Sequence, residues 1–303
     1  MKAKLVYSAG ATAAQVYEAI KLIVTGTTDV NALPAGIDKV NTTISIAIAA
    51  AGWSLFDDAT GTNNQFVIRA LQVDGTTYKY AKLTIGSSSL DLLGMEGWDA
   101  TANTATNATN AVTGQPLNLT SGGTLHIFAS ARYLLFASEI GASWGNSNSI
   151  TGLCEYSARP PTSASGFPRF AVANFNPSTS NPVFYSPRTV NNTNTTLTGS
   201  SAGTYLITVG AGASSGLYGL PSGANAREPN GAGGYNEVFY PIMPHDASKY
   251  AAPIGNISTI SDIWLATANH FANLVIVTRT ENSQQYVTVR FSSTPHHLLV
   301  PNG

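Results

Sequence analysis

Gly212-Ala213-Ser214-Ser215-Gly216 fits the G-x-S-x-G spacing of a serine nucleophile elbow, with Asp246 or Asp262 and then His270 downstream in hydrolase order. Such an elbow requires a helix directly after the serine, whose first amides hold the oxyanion. Gly219, Pro221 and Gly223 break any helix there, so the pattern lacks its catalytic support. The overlapping Gly210, Gly212 and Gly216 have the wrong last spacing for a dinucleotide fingerprint. Asp91, Glu96 and Asp99 surround Gly94 and Gly97, and a turn there would bring carboxylates together as a glycosidase needs. Asp57-Asp58 with Gly61 hints at a calcium loop but lacks its alternating acids and closing glutamate.

The histidines, His126, His245, His270, His296 and His297, do not show the convergent spacing of a zinc site and read as surface or interface residues. No catalytic residue, metal ligand or cofactor is therefore expected. The charges are more telling because they are rare. Arg132, Glu139, Glu155, Arg159 and Arg169 stand in or beside apolar runs, where an unpaired ion is expensive and a partnered one fixes register. They are expected to form ion pairs across a fold or subunit contact.

The elements that must position these residues are mostly strands. One helix is expected near the N-terminus: Thr12 caps, Gln15 completes a capping box, and Val16, Ile20, Ile23 and Val24 share a face before Gly26. Residues 66–73 and 76–83 then alternate around Asp74-Gly75, a type I′ hairpin signal. In the returning strand Tyr78, Tyr80 and Lys82 face one way, and Lys79, Ala81 and Leu83 the other. The aromatic pair marks the expected core face, and Trp53 and Trp98, each beside a glycine, are expected to pack. The Thr/Asn/Ala tract at 100–110 reads as a loop or linker.

Later short apolar runs, such as 124–129, 133–137, 204–209, 274–278 and 286–291, are separated by turn residues. The expected fold is mainly β, a sandwich or jelly-roll-like body with one N-terminal α-helix. Two parts are expected: residues 1–113 with the helix and hairpin, and 114–303 as a β-sandwich with long loops.

Only 10% of the 303 residues are charged, against about a quarter in ordinary soluble domains. Thr, Asn, Ser, Ala and Gly take their place. With a net charge of −1 the chain offers no broad attraction to nucleic acid or anionic lipid. The lone Cys154 rules out an internal disulfide, and the start shows no apolar leader run. Neutral polar faces exchange hydrogen bonds between water and neighbours at little net cost, which suits a surface that copies of the chain will cover.

Several stretches resemble tailed-bacteriophage virion structural proteins: residues 8–16, Thr25-Gly26-Thr27-Thr28, residues 51–57, the Lys79-Tyr80 strand, residues 126–134, Gly152 to Ser157, and Gly166-Phe167-Pro168. That resemblance implies a non-enzymatic, multicopy part of the tail, collar or baseplate. It implies localisation in the virion after synthesis in the host bacterial cytoplasm, with copies of itself and other virion proteins as partners. The alternative is a receptor-binding or capsid-decoration protein whose exposed aromatics, such as Trp98, Trp144 or Tyr218, meet host surface glycan or the head lattice.

Overall fold

A computed structural model describes residues 2–58, 64–109, 112–139, 150–155, 170–175, 183–185, 205–206, 227–229, 235–237, 240–241, 244–245, 262–267, 273–279, 283–290 and 296–302. The chain opens with β1 (Lys2–Tyr7), α1 (Ala13–Thr25), β2 (Thr43–Ile44) and the single-turn α2 (Ile46–Ala49). Next come β3 (Ser54–Asp57), β4 (Gln65–Leu71), β5 (Tyr78–Ile85), β6 (Ser89–Asp99), β7 (Thr104–Ala108) and β8 (Val112–Pro116). The middle run is β9 (Gly123–Ala129), β10 (Tyr133–Glu139), β11 (Ile150–Glu155), β12 (Phe170–Phe175) and β13 (Val183–Tyr185). Short strands follow: β14 (Tyr205–Leu206), β15 (Arg227–Pro229), β16 (Tyr235–Glu237), β17 (Tyr240–Pro241) and β18 (Pro244–His245). The last are β19 (Trp264–Thr267), β20 (Ile276–Thr278), β21 (Gln285–Arg290) and β22 (His296–Pro301).

The protein is mainly β, and its described strand pairs are antiparallel. Three sheets form layers. The central one has seven strands in the order β13-β12-β11-β10-β9-β1-β2. Along β10, Leu134 and Phe136 face a core shared with α1 and the sheet of β3 to β8, while Tyr133, Leu135 and Ala137 face a second core. That second core is closed by Val287, Val289, Leu298 and Val300 from the sheet β17-β19-β22-β21-β20. A sheet covered on both faces buries consecutive positions, which is why burial runs unbroken from Tyr133 to Ser138 in β10 and along all of β11 instead of alternating.

β1 lies in this central sheet, paired with β9 from Lys2 opposite Phe128 to Tyr7 opposite Gly123. Residues from both sides of the expected boundary between 1–113 and 114–303 share one core, which takes Val16, Phe66 and Leu92 together with Leu125, Phe136 and Leu153. The two sheets approach closely at Gly94, where a Cβ would lie 2.8 Å from Val172 Cγ2 and 3.1 Å from Phe170 Cε2.

α1 forms as its sequence signals. Thr12 Oγ1 accepts from the Gln15 amide at 3.2 Å, the Gln15 side chain accepts from the Thr12 amide at 2.9 Å, and Gly26 ends the helix at φ 121°. Val16, Ile20, Ile23 and Val24 are buried, and Tyr17 meets Phe66 edge-on at 5.5 Å. Among the described residues no helix is long and apolar enough to cross a membrane.

Three local expectations are corrected. The β4–β5 hairpin does not turn through a two-residue type I′ loop: the Gln72 amide donates to Thr77 O, the Gly75 amide donates to Gln72 O, and Gly75 alone of the Asp74-Gly75 pair has positive φ, at 68°. Asp74 causes the wider turn, because its Oδ1 accepts from the Thr76 and Thr77 amides, both at 2.9 Å. Residues 104–108 of the Thr/Asn/Ala tract are strand β7, paired with β6 through a turn in which Asp99 Oδ1 accepts from the Thr101 and Ala102 amides. An edge position tolerates so polar a strand. Finally, the core face of β5 is that of Lys79, Ala81, Leu83 and Ile85, and the tyrosines face outward.

Candidate functional site

Ser214, Asp246, His270, Arg159, Arg169, Trp144 and Tyr218 lie outside the described residues. The carboxylates Asp91, Glu96 and Asp99 are not gathered by a turn, because all three belong to the single strand β6. At about 3.3 Å per residue, Asp91 and Glu96 are roughly 16 Å apart along it, and odd spacings send neighbours in the series to opposite faces. Asp57 and Asp58 also diverge: Asp57 Oδ2 accepts from Trp98 Nε1 at 2.6 Å, whereas Asp58 binds the Tyr17 hydroxyl and Lys21. No group of three or more metal-ligating side chains occurs among the described residues.

Asp58 and Glu18 flank the Lys21 ammonium at 2.8 and 2.6 Å on the polar edge of α1. Burial pulls that ammonium's pKa down, but the bonds to Asp58 and Glu18 outweigh it and leave it above the ordinary lysine value. The Tyr17 hydroxyl is pushed up to about 12 by burial and by its bond to Asp58. Cys154 is buried and unpaired with another cysteine, and burial raises its thiol to about 12, which keeps it protonated and unreactive.

The scarce charges are placed as follows. Glu155, at the end of β11, meets Lys79 of β5 with Oε2 2.9 Å from Nζ, and the two side chains are 1% and 0% exposed. Lys79 also donates to Leu71 O at 2.9 Å and Ala131 O at 2.5 Å, so all three ammonium hydrogens have acceptors. Glu155 Oε1 accepts from the Val73 amide. Trp53 lies beside the ammonium, its ring centroid 5.5 Å from Nζ and its Nε1 donating to Ser130 O at 2.9 Å. This knot ties the β4–β5 hairpin to the β9–β10 turn across the two sheets. Burial pushes the Lys79 pKa below the ordinary lysine value, opposed by Glu155. Arg132, by contrast, sits 3.8 Å from Asp262 at a half-exposed site.

Glu139 pairs with His126, which is buried. His126 and His297 are core residues rather than the surface histidines expected, because each falls on a strand face that the layering covers. Burial lowers the His126 pKa below 6.5, opposed by its bond to Glu139 and reinforced by Lys2 and Lys4. A folded-state pKa below the unfolded one means the unfolded chain binds the extra proton first, so this contribution to stability is lost as pH falls below 6.5. Urea unfolding is expected to show stability dropping by up to about 1.4 kcal/mol per pH unit from this group. His126→Gln should flatten that limb, and parallel profiles for the two proteins would contradict the assignment.

The outward face of the β3-to-β7 sheet carries a cluster of rings and cations. The Arg69 guanidinium lies 4.7 Å from the Phe56 ring centroid and 4.4 Å from that of Tyr78, and Tyr80 completes the cluster 5.1 Å from Phe56. Lys82 stands over Trp98 at 5.6 Å on the same sheet. Leu71, which is exposed, stands opposite Tyr78 at the edge of the cluster. Two further exposed aliphatic residues, Val40 at 90% and Ile46 at 79%, precede and follow β2, the edge strand of the central sheet.

Comparison with protein-family models and with curated proteins finds no match for this chain.

Proposed function

We propose that this chain is a non-enzymatic structural protein that works as one of many copies, joined through neutral surfaces and exposed aliphatic residues. The observation that carries the reading is the near-complete exposure of Val40 and Ile46, two branched side chains beside an edge strand, on a molecule with so few charges. Each gains about 1.5–3 kcal/mol when it is taken out of water, and a repeating contact multiplies that gain over a closed assembly. Asp38 closes the turn before β2, accepting from the Val40 and Asn41 amides at 3.0 and 3.1 Å, and this turn presents Val40 to solvent.

The resemblance to tailed-phage virion proteins supplies the particle, with the tail, collar or baseplate as the proposed place. A layered β body without disulfides suits that use, since its cores are filled before assembly and its surface is left to its neighbours. The test is Val40→Asp with Ile46→Asp, followed by light scattering on a size-exclusion column. Multimers are expected for the natural protein and monomers for the variant, with folding stability changed by under about 0.5 kcal/mol because neither side chain supports a core. An unchanged multimer in the variant removes the patch from the account. Mass spectrometry of purified particles tests the virion assignment, which fails if the chain is absent.

A further inference from the structure

Arg69 occupies a setting that the described residues do not complete. Its Nε is enclosed and has no hydrogen-bond partner, and among the described residues neither Arg69 nor Lys82 lies within ion-pair distance of a carboxylate. The guanidinium carbon lies over both the Phe56 and the Tyr78 ring, 4.7 and 4.4 Å from their centroids. An arginine immobilised by ring stacking keeps its donor fork in one orientation, and a planar fork matches a carboxylate at two points. The side chain is thus prepared for an anion that the described residues do not supply.

The surroundings specify more than charge. Leu71 and Tyr78 face each other across the hairpin in register, and Tyr78 is 37% exposed, so the cation stands beside an apolar, partly aromatic floor. Lys82 lies two residues beyond Tyr80, the residue opposite Arg69, which places a second cation on the same face about 7–8 Å away at the level of Cβ. Exposed apolar and aromatic surface with an arginine stacked at its margin fits a ring that has a C–H face and a carboxyl substituent. We propose that this face binds a carboxylated pyranose of an acidic polysaccharide, with Arg69 clasping the carboxylate and Tyr78 stacking on the sugar ring. Nucleic acid fits poorly because the chain, at net charge −1, lacks the wide basic field that phosphate backbones require.

The experiment is calorimetric titration of the full chain with oligogalacturonate and with oligosialic acid, using neutral dextran oligomers and polyglutamate for comparison. Saturable binding of either acidic sugar, with dextran and polyglutamate much weaker, is expected. Arg69→Lys keeps the charge but loses the fork, and should weaken binding by about tenfold or more. Tyr78→Ala, at an exposed position, should weaken it similarly while the thermal midpoint stays near that of the natural protein. The assembly variant Val40→Asp/Ile46→Asp should bind unchanged, which separates this site from self-association. Absence of binding to both acidic sugars, equal binding of polyglutamate, or unchanged affinity in both Arg69→Lys and Tyr78→Ala would each overturn the proposal.

Discussion

Glu155→Ala is expected to lower folding stability by about 3–5 kcal/mol, a large share of what a domain of this kind has. The reason is what remains behind. The Lys79 ammonium stays enclosed, with Leu71 O and Ala131 O as acceptors and no counter-charge, and the Val73 amide loses its partner. Desolvation of an unpaired ion is the dominant cost, larger than the hydrogen bonds lost. Glu155→Gln keeps an acceptor for Val73 and should cost less. The double change Lys79→Met with Glu155→Leu removes both ions and should recover most of the loss, since a well-packed apolar pair often equals a buried ion pair. Chemical denaturation of the four proteins reads these differences. A single variant as stable as the natural protein would show that the pair does not join the sheets as described.

The second large effect is expected at Gly152→Ala, which should cost about 3 kcal/mol, the upper part of the range for overfilled cores. Gly152 lies opposite Leu135 in the central sheet. A Cβ there would stand 2.4 Å from Leu134 O and 2.8 Å from Leu135 Cα, and backbone atoms cannot rotate aside as a side-chain tip can. The β10–β11 ladder must open or shift, disturbing both cores at once because β10 contributes to each. Gly97→Ala is the comparison: its nearest contact is Thr106 Cβ at 3.4 Å in the edge hairpin, so its cost should stay below about 1 kcal/mol. Equal melting temperatures for the two variants would contradict the close approach at Gly152.

The sequence was legible where the decisive partners are close along the chain. Thr12 and Gln15 meet three residues apart, and Asp74-Gly75 marks a turn even though Asp74's own carboxylate widens it. The mainly β fold follows from runs that each report on themselves. What escaped notice was set by distant partners. Tyr78 and Tyr80 look like a core pair, but Ala81, Leu83 and Ile85 bury the opposite face, and Glu155, 76 positions beyond Lys79, supplies the counter-charge that lets Lys79 sit on it. The same limit hid the burial of His126 and His297, the insertion of β1 beside β9, and Arg69 between its rings. One signal was available for the buried lysine: a cation alternating with Ala81, Leu83 and Ile85 on one face of a strand, together with the few acids able to reach it.

Under the proposed function this low-charge surface is covered by further copies of the chain. Sedimentation velocity of the purified natural protein over a concentration series tests it most directly. A discrete multimer that grows with concentration and dissolves in the Val40→Asp/Ile46→Asp protein is the predicted result. A single monomeric boundary at every concentration, identical in the two proteins, would contradict it.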